Sequence, residues 1–194
     1  MRAIVVRQFG DAEAMQVGEV ELPQPGRDEV LIRVLAAGVG PWDVSLRRGG
    51  LGGALPYIPG GAFAGVVVGD TGADAALDDG APVYGYPGLT GCYAEYVACP
   101  VEQLAPIPAG LPVSNAAATP IDALTAEQGL TDILAVGAGD RILITAAAGG
   151  LPLCRADRPG AGGVRRGNRK PAEPSVRAQA GRGRGHRPHP ARLA

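Results

Sequence analysis

Short apolar runs, each closed by turn-forming residues, fill the first 110 positions of the chain: AIVV at 3–6, EVEL at 19–22 and VLIRVLAAGV at 30–39. AGVVVGD at 64–70, APVYGY at 81–86 and CYAEYVAC at 92–99 follow, bounded by Gly or Pro. Runs of this length with such punctuation predict an antiparallel β domain over residues 1–113 in which helices are secondary. From Ser114 the spacing changes. SNAAATPIDALTAEQGLTDILAV is rich in Ala and Leu, which predicts helix broken near Pro120, with Leu124, Leu130, Ile133 and Leu134 on one apolar stripe. Gly137 and Gly139 stop it. GDRILITAAAGG then reads as a buried strand over 142–145 entering a turn of tiny residues.

After Gly150 the pattern is lost. Residues 151–194 contain no aromatic side chain, six prolines and seven glycines, and neither a helical nor a strand period. Too little apolar surface is available there to offset an ordering cost of about 1–2 kcal/mol per residue. The predicted organisation is therefore mixed α/β in three parts: the β domain at 1–113, a connecting helix with a first strand and loop at 114–150, and a disordered Arg/Gly/Pro-rich tail at 151–194.

Charge divides at the same point. The tail holds ten Arg and one Lys against one Asp and one Glu, a formal charge of +9, so the whole-chain value of −1 hides an acidic front and a basic end. Both histidines, His186 and His189, lie in the tail, which removes imidazole from the acid/base and metal chemistry open to the first 150 residues. The N-terminus MRAIVVRQFG leads into a strand without a signal layout, and no run approaches the ~20 apolar residues of a membrane span. A cytoplasmic location and no membrane partner are expected. Three cysteines fit a reducing compartment better than a disulfide scaffold. Cys92 and Cys99, an odd number apart in extended chain, should face opposite ways and stay unpaired.

Three collinear stretches carry a family resemblance. MRAIVVRQFG with PGRDEVLIRVLAAGV, then GCYAEYVACPVEQLAPIPAGL with AAATPIDALTA, then GDRILITAAAGG, together resemble the zinc-independent medium-chain reductases of the quinone-oxidoreductase, zeta-crystallin-like type. The resemblance implies a GroES-like antiparallel β domain followed by the start of a Rossmann domain. It also implies hydride transfer from NADPH to quinones or activated alkenes, with the chemistry in the nicotinamide and the protein supplying orientation. At the positions where related alcohol dehydrogenases hold catalytic zinc, this chain has Gly40, Gly61 and Ala62, none of them a ligand. No residue is singled out as an acid or base.

Quinone-reductase relatives usually carry Asn within the motif that here reads Gly38-Val39-Gly40-Pro41-Trp42-Asp43, so Gly40 removes one polar contact. Asp43 remains, with a turn-capping role weighed above a catalytic one. By resemblance, Thr125, Ala147, Ala148, Gly149 and Gly150 would contact the cofactor: the hydroxyl near the nicotinamide, the small residues letting backbone amides approach the pyrophosphate. The equal alternative for Thr125 is a bond back to its own helix.

The pyrophosphate loop needs a helix immediately after it. Leu151-Pro152-Leu153-Cys154 followed by Pro159 does not supply one, since an interior proline costs about 3 kcal/mol. The genetic code suggests why. Permitted codons for 154–162, read one base later, spell AVQIARALG, and those for 178–190 spell RKLGADEVIDHT in the same frame. Both resemble the family's continuation. A frame slip near codon 150 would leave an incomplete cofactor site, and the chain as written is expected to be inactive. Two other readings stay open: an inert or self-associating GroES-like fragment with exposed apolar surface, and a nucleic-acid binder acting through the basic tail. The tail's lack of stacking aromatics weighs against the second.

Overall fold

The computed structural model describes residues 1–69, 77–137 and 139–143, together with the backbone pairs 165–166 and 178–179. Strands β1 (Arg2–Val6) and β2 (Met15–Glu19) form an antiparallel pair. β3 (Glu29–Ala37), β4 (Phe63–Val68), β5 (Pro82–Gly85), β6 (Tyr96–Pro100) and β7 (Leu104–Pro106) form a five-stranded antiparallel sheet in the order β6-β3-β4-β5-β7. Bridges Ala3↔Ala94 and Val6↔Tyr57 tie the hairpin to the body of the domain. Among the described residues the chain divides at Ile121/Asp122 into two compact units, the first of which holds the β domain.

Alternation builds the core. Val30 and Ile32 on β3, Phe63 and Val67 on β4, Val83 on β5 and Val97 and Cys99 on β6 point into one buried cluster. Each fully buried aliphatic or aromatic side chain contributes ~1.5–3 kcal/mol. The β3/β4 register shifts between Val34 and Ala36, and the extra residue, Leu35, is turned half out to solvent. A second, small-residue cluster, Ala64 with Ala116 and Ala117, seats helix α2 (Val113–Ala118) close against the sheet.

Several sequence expectations shift. EVEL is not a strand: β2 lies earlier, because its pairing with β1 sets Arg2 opposite Glu19 and ends there. The run at 92–99 is not one extended segment either. Only β6 is strand, with Cys92 in the preceding bend, so the parity argument fails and Cys92 and Cys99 are buried in the same cluster. They are unpaired all the same.

The helical region breaks at Pro120 as expected, giving α2 and α3 (Pro120–Gln128). A π turn at Gly129–Ile133 then rotates the phase. The apolar stripe is lost: Leu130 is buried, while Leu124, Ile133 and Leu134 are exposed. Residues 141–143 are not strand, and Leu143 is exposed; Ile144 and Thr145 lie outside the described residues. In the tail Arg165–Arg166 pair antiparallel with Ala178–Gln179, and the rest of the expectation for 151–194 lies outside the described residues.

Candidate functional site

Helix α1 (Pro41–Arg47) was not predicted, although its signals are present: Pro41 at the first helical position, and Asp43 three residues after the Gly40 cap. Short length hid it, since seven residues give barely two turns of period. The Gly40 N–H donates to Asp43 Oδ2 at 2.8 Å, so the capping role weighed for Asp43 is the one the structure displays. Gly38 N–H donates to the Ala62 carbonyl at 2.9 Å, holding the 38–40 turn beside the end of β4.

Behind that turn lies a concentration of buried polar groups that sequence patterning did not reveal. Asp43 and Arg47 stand one helical turn apart on α1, each only 6% exposed. Trp42 Nε1, Asp43 Oδ1, Arg47 Nη1 and the Tyr57 hydroxyl are all buried without a protein hydrogen-bond partner. Tyr57 is delivered by the segment after the cis Leu55–Pro56 bond and is fixed by reciprocal backbone bonds with Val6. Tyr93 donates its hydroxyl to the Gly38 carbonyl at 3.3 Å. Desolvation, then the negative charge of Asp43, raises the proton affinity of both tyrosines, with Arg47 opposing at Tyr57. Both phenols therefore remain donors throughout the neutral range.

Burial also pushes the thiols up, Cys99 to about 12 and Cys92 further, each aided by a neighbouring negative charge or thiol. These are packing residues, not nucleophiles. A raised folded-state value means that the native protein keeps protons the unfolded chain loses above its ordinary thiol value of about 8.5. Stability should therefore be complete below that pH and decline as pH rises toward 12. Urea midpoints measured from pH 8 to 11 should fall, and fall less steeply in a Cys92→Ala/Cys99→Val chain; an unchanged slope would remove the thiols as the cause.

The remaining predicted positions separate. Gly61 packs under Tyr86 and Ile121, and Ala62 is buried beside Gly38; neither side chain offers a ligand atom. Among the described residues no group of three or more His, Cys, Asp or Glu is close enough to hold a metal. Thr125 is exposed on α3 in the second unit. Ala147, Ala148, Gly149 and Gly150 lie outside the described residues. The described residues thus build no dinucleotide cradle, and no step is routed through one.

The alcohol dehydrogenase GroES-like domain family matches residues 26–109. Mouse quinone oxidoreductase is 35% identical over 158 residues, covering 79% of this chain and 47% of the relative. A chloroplastic NADPH-dependent alkenal/one oxidoreductase of Arabidopsis thaliana is 32% identical over 163 residues, covering 78% and 42%. Among solved structures, the quinone oxidoreductase of Thermus thermophilus, also determined with NADPH, aligns at 32% identity with a TM-score of 0.65, over 79% of this chain and 48% of that one. The chain spans about half the length of the curated relatives it matches. No described helix is long and apolar enough to cross a membrane.

Proposed function

Because this chain belongs to the quinone-oxidoreductase group of the alcohol dehydrogenase-like family, we propose that residues 1–113 form the substrate-side domain of an NADPH-dependent reductase of quinones or activated alkenes. We further propose that the polypeptide as written does not turn over. The observation that carries the reading is the 38–43 turn: Gly38 pins it to Ala62, just before β4, and Asp43 on α1 caps its Gly40 N–H, and its rear is a buried polar cluster in a domain of the matching fold. Such a turn presents a fixed surface to a ligand while its own polar groups stay dry.

Lack of turnover follows from what comes after Gly150. A pyrophosphate cradle needs loop and helix together, and a sequence with Pro152 and Pro159 at those positions disfavours such a helix. We attribute this to a frame slip near codon 150, which accounts for the abrupt change of composition and for both shifted-frame segments. NADPH oxidation with a simple quinone should stay at the quinone-free background. Saturating NADPH should leave the melting temperature unmoved, whereas ligand at 100 times Kd would stabilise by about 2.7 kcal/mol. Ordinary enzyme rates would refute the inactive reading. Sequencing the gene around codons 150–152 tests the slip: a frame unshifted relative to close relatives, with a folded tail, would refute it.

A further inference from the structure

The β1/β2 hairpin leaves one strand edge without a partner. Met1 and Val20 exchange backbone bonds, the N-terminal amine donating to the Val20 carbonyl and the Val20 N–H to the Met1 carbonyl. Ala3 pairs with Gly18 and Val5 with Gln16 in the same register. Antiparallel alternation therefore turns the N–H and C=O of Gln16 and Gly18 toward β1, and those of Met15, Val17 and Glu19 outward. β1 obeys the same rule on its far side, where Ile4 donates to the Tyr93 carbonyl and Val6 to that of Tyr57. β2 ends its sheet, so among the described residues no strand pairs with its outer edge. The Met15 N–H is bonded back to the Ala12 carbonyl. What remains is the N–H of Val17 and Glu19 and the carbonyls of Met15, Val17 and Glu19. Edge strands usually carry Lys, Pro or a bulge against pairing; β2, MQVGE, has none of these, and its register with β1 is unbroken. Val17, at its centre, is 73% exposed. With Ile4, its partner on β1, it lines an open groove of about 420 Å³ that Leu35 and Ala37 also line.

We propose that β2 is an interface between two copies of this chain, joined edge to edge as antiparallel strands about a two-fold axis at Val17. The outward groups are self-complementary in that register. Val17 of each copy exchanges backbone bonds with Val17 of the other, and each Glu19 N–H donates to the Met15 carbonyl of the other copy. The Met15 N–H, held in its own turn, ends the ladder. Charge selects the antiparallel arrangement: Glu19 falls opposite Met15, whereas parallel strands in register would set Glu19 beside Glu19. On the exposed face Ile4 and Val17 of one copy continue into Val17 and Ile4 of the other, an apolar row that leaves water as the bonds form. Because the far edge of β1 is already bonded, the contact closes at a dimer. One short strand pair is small beside the ~1,200–2,000 Å² of a stable interface, so association is weak and concentration-dependent.

Sedimentation velocity of the full chain over a roughly hundredfold concentration range should show reversible monomer–dimer exchange. Amide hydrogen exchange across the same range reads the register: Val17 and Glu19 should gain about threefold protection or more, while Gln16 and Gly18, bonded to β1, should not change. This alternating pattern does not depend on any variant folding. Val17→Lys sets two ammonium groups face to face and should weaken the dimer about tenfold or more, whereas Val17→Ile should stay within about threefold of the parent. Ile133→Lys, at an exposed apolar position of the second unit, should leave association unchanged. Glu13 and Glu21 are exposed near the two ends of β2, so added salt should preserve or strengthen the pairing. Absence of a dimer, a dimer that survives Val17→Lys, or exchange at Val17 and Glu19 that ignores concentration would overturn the assignment. So would a dimer dissolved by salt, the mark of the acidic front meeting the basic tail, or one lost in Ile133→Lys.

Discussion

A Gly65→Val chain is expected to lose its cooperative thermal unfolding transition. Gly65 sits in the middle of β4, paired with Val34 on one side and Val83 on the other. A Cβ there would penetrate the backbone carbonyl of Arg33 and lie 2.9 Å from Ile32 Cγ2. Overpacking costs ~1–3 kcal/mol where side chains can give way. Here the obstacle is the neighbouring strand itself, beside the register shift at Val34/Ala36, so relief requires parting β3 from β4. That would unseat Ile32 and Phe63, both fully buried. Against a typical total stability of ~5–15 kcal/mol, a loss above about 4 kcal/mol is decisive. Val66→Ala on the same strand, at a half-buried position, should cost only ~1–2 kcal/mol. Circular dichroism melts of both chains check this; a Gly65→Val protein melting within a few degrees of the parent would contradict it.

Asp43→Ala should cost upward of about 1 kcal/mol, the usual value of a helix cap. Two effects add. The Gly40 N–H loses the acceptor that caps α1, worth ~0.5–2 kcal/mol, and Arg47, 6% exposed with Nη1 unpartnered, loses the acidic side chain one turn away on its own helix. Replacing Arg47 by Met as well removes that second penalty. The double variant should therefore be more stable than Asp43→Ala alone, with a coupling of at least ~0.5 kcal/mol if the two buried side chains sense each other. Urea denaturation of the two single variants and the double variant measures it. Additive losses would show that the two residues do not sense each other.

How much was legible differs by element. The strands at 30–37, 63–68, 82–85 and 96–100 follow from alternation and bounding turns, because a half-buried sheet imposes a period of two whatever surrounds it. β2 was misplaced because its residues are almost all exposed; without a buried face there is no alternation to read, and its position comes from pairing with β1. The capping carboxylate of Asp43 was legible through its three-residue spacing from Gly40. Its burial beside Arg47 was not, since composition places Arg and Asp outside by default.

The sequence by itself determined the β domain, the break at Pro120, the absence of His from the first 150 residues and the loss of pattern after Gly150. All of these rest on local chemistry: backbone dihedral limits, side-chain period and residue identity. Tertiary structure alone decided three things. Cys92 and Cys99 share one core, Asp43 and Arg47 are buried with Tyr57 and Tyr93 near the same turn, and Trp42 fills the space above Gly40. Each depends on where a bend or a short helix sends a side chain, and on partners up to tens of residues away. No periodicity within a single segment encodes that distance.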